Sequence, residues 1–401
     1  MNIEIQNDII TIFLDGRIDS NNANEIEAQI MNALSKNPKV SKIQIDVEKL
    51  DYISSAGLRI LLKLRKQIKN SLPVFNASNE IYEIFNVTGF TELLDVHKKM
   101  REVSLEGCEL IGAGGFGSVY RIDTETIVKI YKPKFSLEFV EQERNISHEA
   151  FLMGVPTAIS YDVVKCGDSY GVVYEMLNAK TTAQIINEDP GKIPEICSKV
   201  AELLKELHKI VPHSDAGLPS FKQQLLNWVD SISEFITESE AEKIKAFICS
   251  IPDCNTFLHR DYNLKNIMLQ NGELRLIDLG SASIGNPIFD IAWLIDCYKP
   301  IFDVWHDVWQ LSIEMYRAYL GFDLKYGVQV LSEMCGTYFG LSSQEEIENV
   351  TQKLLPYSFL ILSYEAFFSA GTDHVLIQSR IESAVRKLLL PSIDHAQPLN
   401  F

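Results

Sequence analysis

A short segment of the chain carries side chains whose types and spacing suit phosphoryl-transfer chemistry. Asp261 follows a His-Arg pair, and Asn266 stands five residues after it. The carboxylate of Asp261 can accept a proton from an attacking hydroxyl, and Asn266 can bind a metal ion. Asp278 ends a predicted strand over 274–277 and adds a second oxygen ligand of the kind that Mg²⁺ prefers. We therefore predict that Asp261 is the catalytic base and that Asn266 and Asp278 beside it bind Mg²⁺. His259 is predicted to be a structural support of the loop.

A glycine-rich segment upstream predicts a phosphate-binding loop. Gly-x-Gly-x-x-Gly is compatible with a dinucleotide-binding fold or with the glycine-rich loop of kinases. A dinucleotide-binding loop runs directly into a helix. Here the segments 119–122 and 126–131 are predicted strands, so the loop lies within a hairpin. Glycines let backbone N–H groups approach phosphates closely. The predicted nucleotide-binding residues of this hairpin are Gly112, Gly114, Gly115, Gly117 and Val119.

Lys129 lies on the next predicted strand, in Ile-Val-Lys-Ile. A lysine here is either an exposed strand residue or the group that holds the phosphates of ATP, which requires an acidic partner. Glu149, 20 residues later in a predicted helix, is our expected partner and the third catalytic residue. A later strand ends at Glu175 and Met176, which we predict form a hinge whose backbone binds adenine. The expected cofactors are ATP and Mg²⁺.

The first 100 residues predict a separate small α/β domain. Predicted strands over 9–14, 43–47 and 74–75 alternate with predicted helices. Ser54 and Ser55 stand where a loop becomes a helix. A hydroxyl there can accept a free helix N–H as an N-cap. Alternatively, a phosphate there would meet unpaired N–H groups and the positive end of the helix dipole.

The segment 50–59, Leu-Asp-Tyr-Ile-Ser-Ser-Ala-Gly-Leu-Arg, resembles the signature of the STAS domain, the fold of bacterial anti-sigma factor antagonists. The resemblance implies a protein partner of the anti-sigma factor or kinase type. It also implies that Ser55 is a candidate phosphosite, because Ser55 takes the place of the phosphorylated serine. Ser54 departs from the pattern, since regulatory members have an acidic residue there.

The segment 285–292, Gly-Asn-Pro-Ile-Phe-Asp-Ile-Ala, follows Asp278 within a few residues. It contains no Ala-Pro-Glu and leaves no room for the activation segment of a protein kinase. Residues 105–370 resemble the aminoglycoside phosphotransferase and choline kinase superfamily, which has this arrangement. The resemblance implies a small-molecule acceptor and gives Asp290 a structural role in bracing the catalytic loop. Arg260 departs from it, being commoner in protein kinases.

Composition narrows the function classes further. The 401-residue chain has 37 basic and 54 acidic side chains and a net charge of −17. This acidity argues against nucleic-acid binding by phosphate neutralisation and against a polybasic membrane attachment. Scattered cysteines and the lack of a basic-then-apolar start predict a cytoplasmic protein. Five late acids could face a cationic acceptor or form a solvated surface: Asp296, Asp303, Asp307, Glu314 and Glu365. Three late tryptophans are expected to pack between helices or line the pocket: Trp293, Trp305 and Trp309.

We expect an α/β plus α+β architecture: a STAS-like regulatory domain over 1–103, then a bilobal, protein kinase-like domain over 104–401. Its N-lobe covers about 104–177, and its helical C-lobe covers about 178–401. The leading hypothesis is an ATP-dependent phosphotransferase acting on a small-molecule hydroxyl. One alternative is a protein serine kinase that phosphorylates Ser55 or a separate STAS protein. Another is a non-catalytic scaffold with the kinase fold, although no catalytic residue is missing.

Overall fold

The chain forms two compact units, Met1–Val103 and Ser104–Phe401. The computed structural model describes all residues except 7, 39, 41, 69–70, 215, 300–307, 310–311 and 398–401. Within that described part, no helix has both the length and the apolar character needed to cross a membrane.

The N-terminal unit is a five-stranded sheet with helices. Its strands, in spatial order, are β1 (Asn2–Gln6), β2 (Ile9–Ile18), β3 (Lys42–Ile53), β4 (Pro73–Ala77) and β5 (Asp95–Lys98). β1 pairs antiparallel with β2, and the other pairs are parallel. The helices are α1 (Ala23–Lys36), α2 (Ser55–Gln67), α3 (Asn79–Val87) and α4 (Phe90–Leu93), and a short strand, β6 (Arg101–Glu102), ends the unit. Alternate side chains of β2 (Ile10, Ile12 and Leu14) are buried in its core, as the period of two predicts.

The second unit begins with an antiparallel sheet. Its strands run in the order β7 (Glu109–Ala113), β8 (Gly117–Arg121), β9 (Thr126–Tyr131), β11 (Ser169–Glu175) and β10 (Ser160–Cys166). Helix α5 (Leu137–Leu152) packs on β10 and β11. Val119 of β8 lies directly opposite Lys129 of β9, so the glycine-rich loop and the lysine share one corner of the sheet.

A largely helical region follows. Its helices are α6 (Thr182–Glu188), α7 (Ile193–Leu207), α8 (Phe221–Ser231), α9 (Glu238–Ser250), α10 (Ile288–Tyr298), α11 (Ile313–Leu320), α12 (Gly327–Phe339), α13 (Gln344–Ser369), α14 (His374–Arg380) and α15 (Leu390–Ile393), with a π-helical segment at Ile381–Leu389. Its short strands are β12 (Lys180–Thr181), β13 (Thr256–Leu258), β14 (Ile267–Gln270), β15 (Glu273–Leu276) and β16 (Ser283–Gly285). Every residue of α10 is buried, and α10 packs against α12 and α13. The predicted fold class, a small α/β unit followed by a unit with a helical C-terminal region, is confirmed.

Candidate active site

The carboxylate of Asp261 is held at both oxygens. Asp261 lies between β13 and a 3₁₀ turn over Leu264–Asn266. The side-chain amide of Asn263 donates to Oδ1 of Asp261, and that of Asn266 donates to Oδ2, each at 2.8 Å. Burial raises the pKa of Asp261 to about 7, and the negative charge of Asp278 adds to the rise. The two amide hydrogen bonds oppose that rise and fix the direction of the carboxylate.

The backbone before Asp261 is strained and is held by Asp290. Arg260 has φ +70°, a left-handed conformation that residues other than glycine seldom adopt. The carboxylate of Asp290, fully buried on α10, accepts the backbone N–H groups of His259 and Arg260, each at 2.8 Å. Burial raises the pKa of Asp290, but the hydrogen bond and charge of His208 and the charge and backbone hydrogen bond of His259 together outweigh it, so the pKa lies below its ordinary value. These are the contacts that the predicted bracing role requires.

His259 is completely buried next to the base. Its Nδ1 accepts the backbone N–H of Asp261 at 3.2 Å. Burial lowers the pKa of His259, which keeps the ring neutral and able to accept that bond. The imidazole thus accepts a backbone hydrogen bond of the loop at Asp261, and its supporting role in catalysis stays a prediction.

Lys129 forms two ion pairs, so it is not an exposed strand residue. Its Nζ lies 2.7 Å from Oε1 of Glu143 and 2.9 Å from Oδ1 of Asp278, and its side chain is 16 % exposed. Burial lowers the pKa of Lys129, but the charges of Asp278 and Glu143 outweigh that effect and raise it above its ordinary value. Likewise, burial raises the pKa of Asp278, but Lys129 outweighs it and lowers the pKa. The lysine is therefore a fixed cation between two acids.

The expected partner of Lys129, Glu149, is wrong; the partner is Glu143. The two glutamates lie on the same helix, α5, but six residues turn an α-helix by about 600°, so they lie on different faces. Glu143 belongs to the buried face, with Val140 and Ala150, whereas the carboxylate of Glu149 lies 3.9 Å from His213.

Two further residues fix Glu143, and sequence reasoning missed both. The hydroxyl of Tyr131, buried at the end of β9, donates to Oε1 of Glu143 at 2.7 Å. Gly280 packs so closely that a Cβ there would lie 2.4 Å from Cγ of Glu143. Only glycine at 280 leaves room for the glutamate beside Lys129. The sequence did contain a sign of this role, because Glu143 falls among the apolar residues of one face of its helix.

The glycines of the glycine-rich loop differ in how closely other atoms pack against them. A Cβ at Gly117 would lie 2.0 Å from the carbonyl oxygen of Ile130, so close strand packing requires this glycine. Gly114 and Gly115 face open space, while Gly112 makes only ordinary contacts. The open space fits a nucleotide phosphate approaching the backbone.

The predicted hinge already uses both of its N–H groups. The N–H of Glu175 donates to the carbonyl of Ile159 at 2.9 Å, and that of Met176 donates to the carbonyl of Glu125 at 2.7 Å. A nucleotide could not take a hydrogen bond from either group without breaking an internal bond. Adenine binding at this segment stays a prediction.

The predicted metal pair fits Mg²⁺ through its donor atoms. Asn266 uses its amide nitrogen on Asp261, which leaves the amide oxygen for a cation, and Asp278 adds a carboxylate. Across the described residues, no group of three or more His, Cys, Asp and Glu side chains could hold a metal ion. Phosphate oxygens would have to complete the coordination, as Mg²⁺ in nucleotide sites commonly requires.

Two family models match this chain. Residues 108–324 match the model of the phosphotransferase enzyme family, and residues 1–103 match that of the STAS domain. The chain belongs to the phosphotransferase enzyme family and carries an N-terminal STAS domain.

Two of the relatives found by sequence are described as anti-sigma factor antagonists. A Bordetella bronchiseptica protein described as an anti-sigma factor antagonist, BtrV, is 33% identical over 86 residues, covering 21% of this chain and 72% of that protein. The anti-sigma-B factor antagonist of Listeria monocytogenes is 27% identical over 104 residues, covering 24% of this chain and 90% of that protein.

Similar solved structures include two aminoglycoside phosphotransferases. A thermostable mutant of APH(4)-Ia is 12% identical, with a TM-score of 0.47, and covers 70% of this chain and 94% of its own. APH(2'')-IIa, in a complex with gentamicin, is 17% identical, with a TM-score of 0.46, and covers 78% of this chain and 98% of its own.

In the STAS domain, the two serines at the start of α2 have different surroundings. Ser54 is the N-cap: its hydroxyl accepts the backbone N–H of Ala56 at 3.2 Å. Ser55 is exposed at the first helical position. A Cβ at Gly57 would lie 2.6 Å from the side chain of Ile53, so this signature glycine is required for packing. Phosphorylation of Ser55 stays a prediction.

The late acidic residues that the structure describes in the phosphotransferase unit do not form a common anionic wall. Asp296 is buried, Glu365 is paired with Arg260, and Glu314 is exposed in the first turn of α11. Asp303 and Asp307 lie outside the described residues, as does Trp305. Trp293 is buried on α10 and Trp309 packs beside Val308, which favours helix packing for both.

Proposed function

We propose that residues 104–401 transfer the γ-phosphoryl group of ATP to a hydroxyl of a small molecule, and that the STAS domain docks a protein partner. The proposed lobes are residues 104–177 and 178–401. The observation that carries the proposal is the orientation of Asp261, whose two carboxylate oxygens are each held by an asparagine amide.

In the proposed reaction, Asp261 accepts the proton of the acceptor hydroxyl. The acceptor oxygen forms a bond to the γ-phosphorus as the bond between that phosphorus and the bridging oxygen breaks, and ADP leaves. Lys129, fixed by Glu143 and Asp278, offers its ammonium group to phosphate oxygens. Mg²⁺, held by Asn266 and Asp278, would neutralise charge on the phosphates.

A small molecule is favoured as the acceptor by the short segment after Asp278. Only a few residues separate Asp278 from β16, and α10 begins at Ile288. An activation segment, on which protein kinases bind their substrate peptides, has no room there. The guanidinium of Arg260 is also buried against Glu365, so it is not placed to bind a phosphorylated loop.

A protein serine is the second candidate acceptor, supported by the STAS domain and its exposed Ser55. Incubating the full chain with Mg-ATP, followed by mass spectrometry, distinguishes the candidates. Phosphate on Ser55, or on an added STAS protein, supports the second candidate. An unmodified chain that nevertheless forms ADP with a small alcohol supports the first.

The test of the proposed function is ADP formation by the full chain over a panel of alcohols, sugars and amino alcohols. Asp261→Asn should abolish acceptor-dependent ADP formation while ADP binding, measured by calorimetry, is retained. Equal activity in wild type and Asp261→Asn would contradict the assignment. Failure of the wild-type chain to bind ADP would contradict the nucleotide site itself.

A further inference from the structure

Arg260 brings a buried positive charge beside the catalytic base. Its side chain is 2 % exposed, and its Nη2 donates to Oε1 of Glu365 on α13 at 3.2 Å. The guanidinium carbon lies 3.2 Å from the centre of the Phe221 ring. A buried charge without a partner is strongly destabilising. Glu365 therefore compensates the charge of Arg260 and allows the loop to have an arginine next to Asp261.

Glu365 is the accessible half of that pair and lies close to the base. Its side chain is 35 % exposed, and its negative charge contributes to the raised pKa of Asp261. Burial raises the pKa of the Tyr319 hydroxyl on α11, and the charges of Asp261 and Glu365 add to the rise, so Tyr319 belongs to the same neighbourhood. An acceptor that reaches Asp261 would meet Glu365 already neutralised by Arg260.

Asp296, on the neighbouring helix α10, is a buried carboxyl group without a cation bound to it. Its Oδ1 accepts the hydroxyl of Ser358 at 2.6 Å, and no salt bridge to it is found in the described part of the chain. Burial raises the pKa of Asp296 well above its usual range.

Two buried polar atoms of this neighbourhood lack partners. Nη1 of Arg260 and Oδ2 of Asp296 have no hydrogen-bond partner among the residues that the structure describes. Both atoms are shielded from solvent, so an acceptor meets this cluster at the partly exposed carboxylate of Glu365.

We propose that Glu365, balanced by Arg260, lines an acceptor subsite that takes uncharged, hydroxyl-rich molecules, such as sugars or polyols, in preference to polyamines. This inference rests on the proposed phosphotransferase function and names its acceptor class. Hydroxyls can donate to the carboxylate of Glu365. A polyamine would lose its hydration and meet a carboxylate that Arg260 already balances.

The first test is ADP formation by the full chain with matched probes. The uncharged probes are myo-inositol and D-ribose, and the polycationic probes are kanamycin A and streptomycin. We expect kcat/KM to be at least tenfold higher with an uncharged probe. Turnover of the polycations alone would overturn the inference while leaving the proposed function intact.

A binding experiment tests whether the Arg260–Glu365 pair sets the preferred charge of the acceptor, even if none of these probes is phosphorylated. Arg260→Met leaves Glu365 unpaired, so the affinity for kanamycin A in Mg-ADP, measured by calorimetry, should rise at least tenfold. The isosteric Glu365→Gln leaves Arg260 unpaired and should raise the affinity for D-glycerate. This second variant replaces the first in the test if Arg260→Met does not fold. Glu314→Gln, on the exposed start of α11, is the control and should change neither affinity. Unchanged affinities in the folded variants would show that the pair does not set the acceptor charge.

Discussion

Asn263 donates its side-chain amide N–H to Oδ1 of Asp261 across 2.8 Å, while its side-chain oxygen Oδ1 accepts the backbone N–H of Lys265 at 3.0 Å. The asparagine thereby links the base to the first turn after it. The side-chain amide of Asn266 donates to the other carboxylate oxygen, so the two amides together fix the orientation of the Asp261 carboxylate. Only Asn266 is also a proposed metal ligand, and this difference makes their effects separable.

Asn263→Ala should lower kcat about tenfold with the best acceptor, since one hydrogen bond to a charged group is lost and the base is less well oriented. The affinity for Mg-ADP should change less than twofold. Kinetics and calorimetry on the full chain measure both. Asn227→Ala, at an exposed position of α8, is the matched control. Weaker Mg-ADP binding by Asn263→Ala would instead place Asn263 in the metal site.

Glu143→Gln should lower kcat/KM for ATP by about 10- to 100-fold, because Lys129 loses a charge-assisted hydrogen bond of 2.7 Å. Glu149→Gln changes the same residue type on the same helix and should stay within twofold of wild type. Steady-state kinetics at varied ATP concentration compare the two. Equal losses in both variants would mean that Glu143 has no special relation to Lys129.

The sequence was sufficient for those parts of the site that are local in the chain. Asp261, Asn266 and Asp278 fall in one stretch with short spacing, and the structure brings them together through a turn and a hairpin. Alternating strand and helix patterns were likewise sufficient for the small α/β unit, whereas the kinase-like fold of the second unit was predicted from its motifs and the resemblance that they carry. Both signals act over a few residues, where the backbone limits the possible arrangements.

Contacts between residues far apart in the chain could not be predicted from local sequence patterns. Choosing Glu143 over Glu149 requires knowing which face of α5 meets the sheet. Arg260 and Glu365 are 105 residues apart, and nothing local to either residue indicates the pair. Packing determines both relationships, and packing depends on the positions of several helices at once.

Ser54→Ala should destabilise the start of α2 by about 1 kcal/mol, because it removes the N-cap hydroxyl. Ser55→Ala, at the exposed next position, should change stability by less than about 0.5 kcal/mol. Hydrogen exchange over residues 54–60 of the full chain reads out both, with faster exchange expected only for Ser54→Ala. The reverse order would show that Ser55 is the cap.

The ion pair of Glu240 and Arg386 joins α9 to the π-helical segment near the C-terminus. Nε and Nη2 of Arg386 lie 2.9 Å and 3.2 Å from the two carboxylate oxygens of Glu240. The hydrogen bond from Arg386 lowers the pKa of Glu240 from 4.5 to about 2. A carboxyl group with a lowered folded-state pKa stabilises the fold above its unfolded pKa and loses that contribution as the pH falls through the folded one.

Glu240→Gln should therefore lower the free energy of unfolding by about 1 kcal/mol at pH 7, after allowance for partial exposure. The difference from wild type should shrink as the pH falls from about 4.5 toward 2, where the native carboxyl group is itself protonated. Urea unfolding at pH 7, 4 and 3 measures it. Glutamine can still accept the backbone N–H of Thr237, so the helix cap is preserved. Glu238→Gln, in the same first turn, is the control, and a pH-independent difference for Glu240→Gln would exclude an ionic contribution.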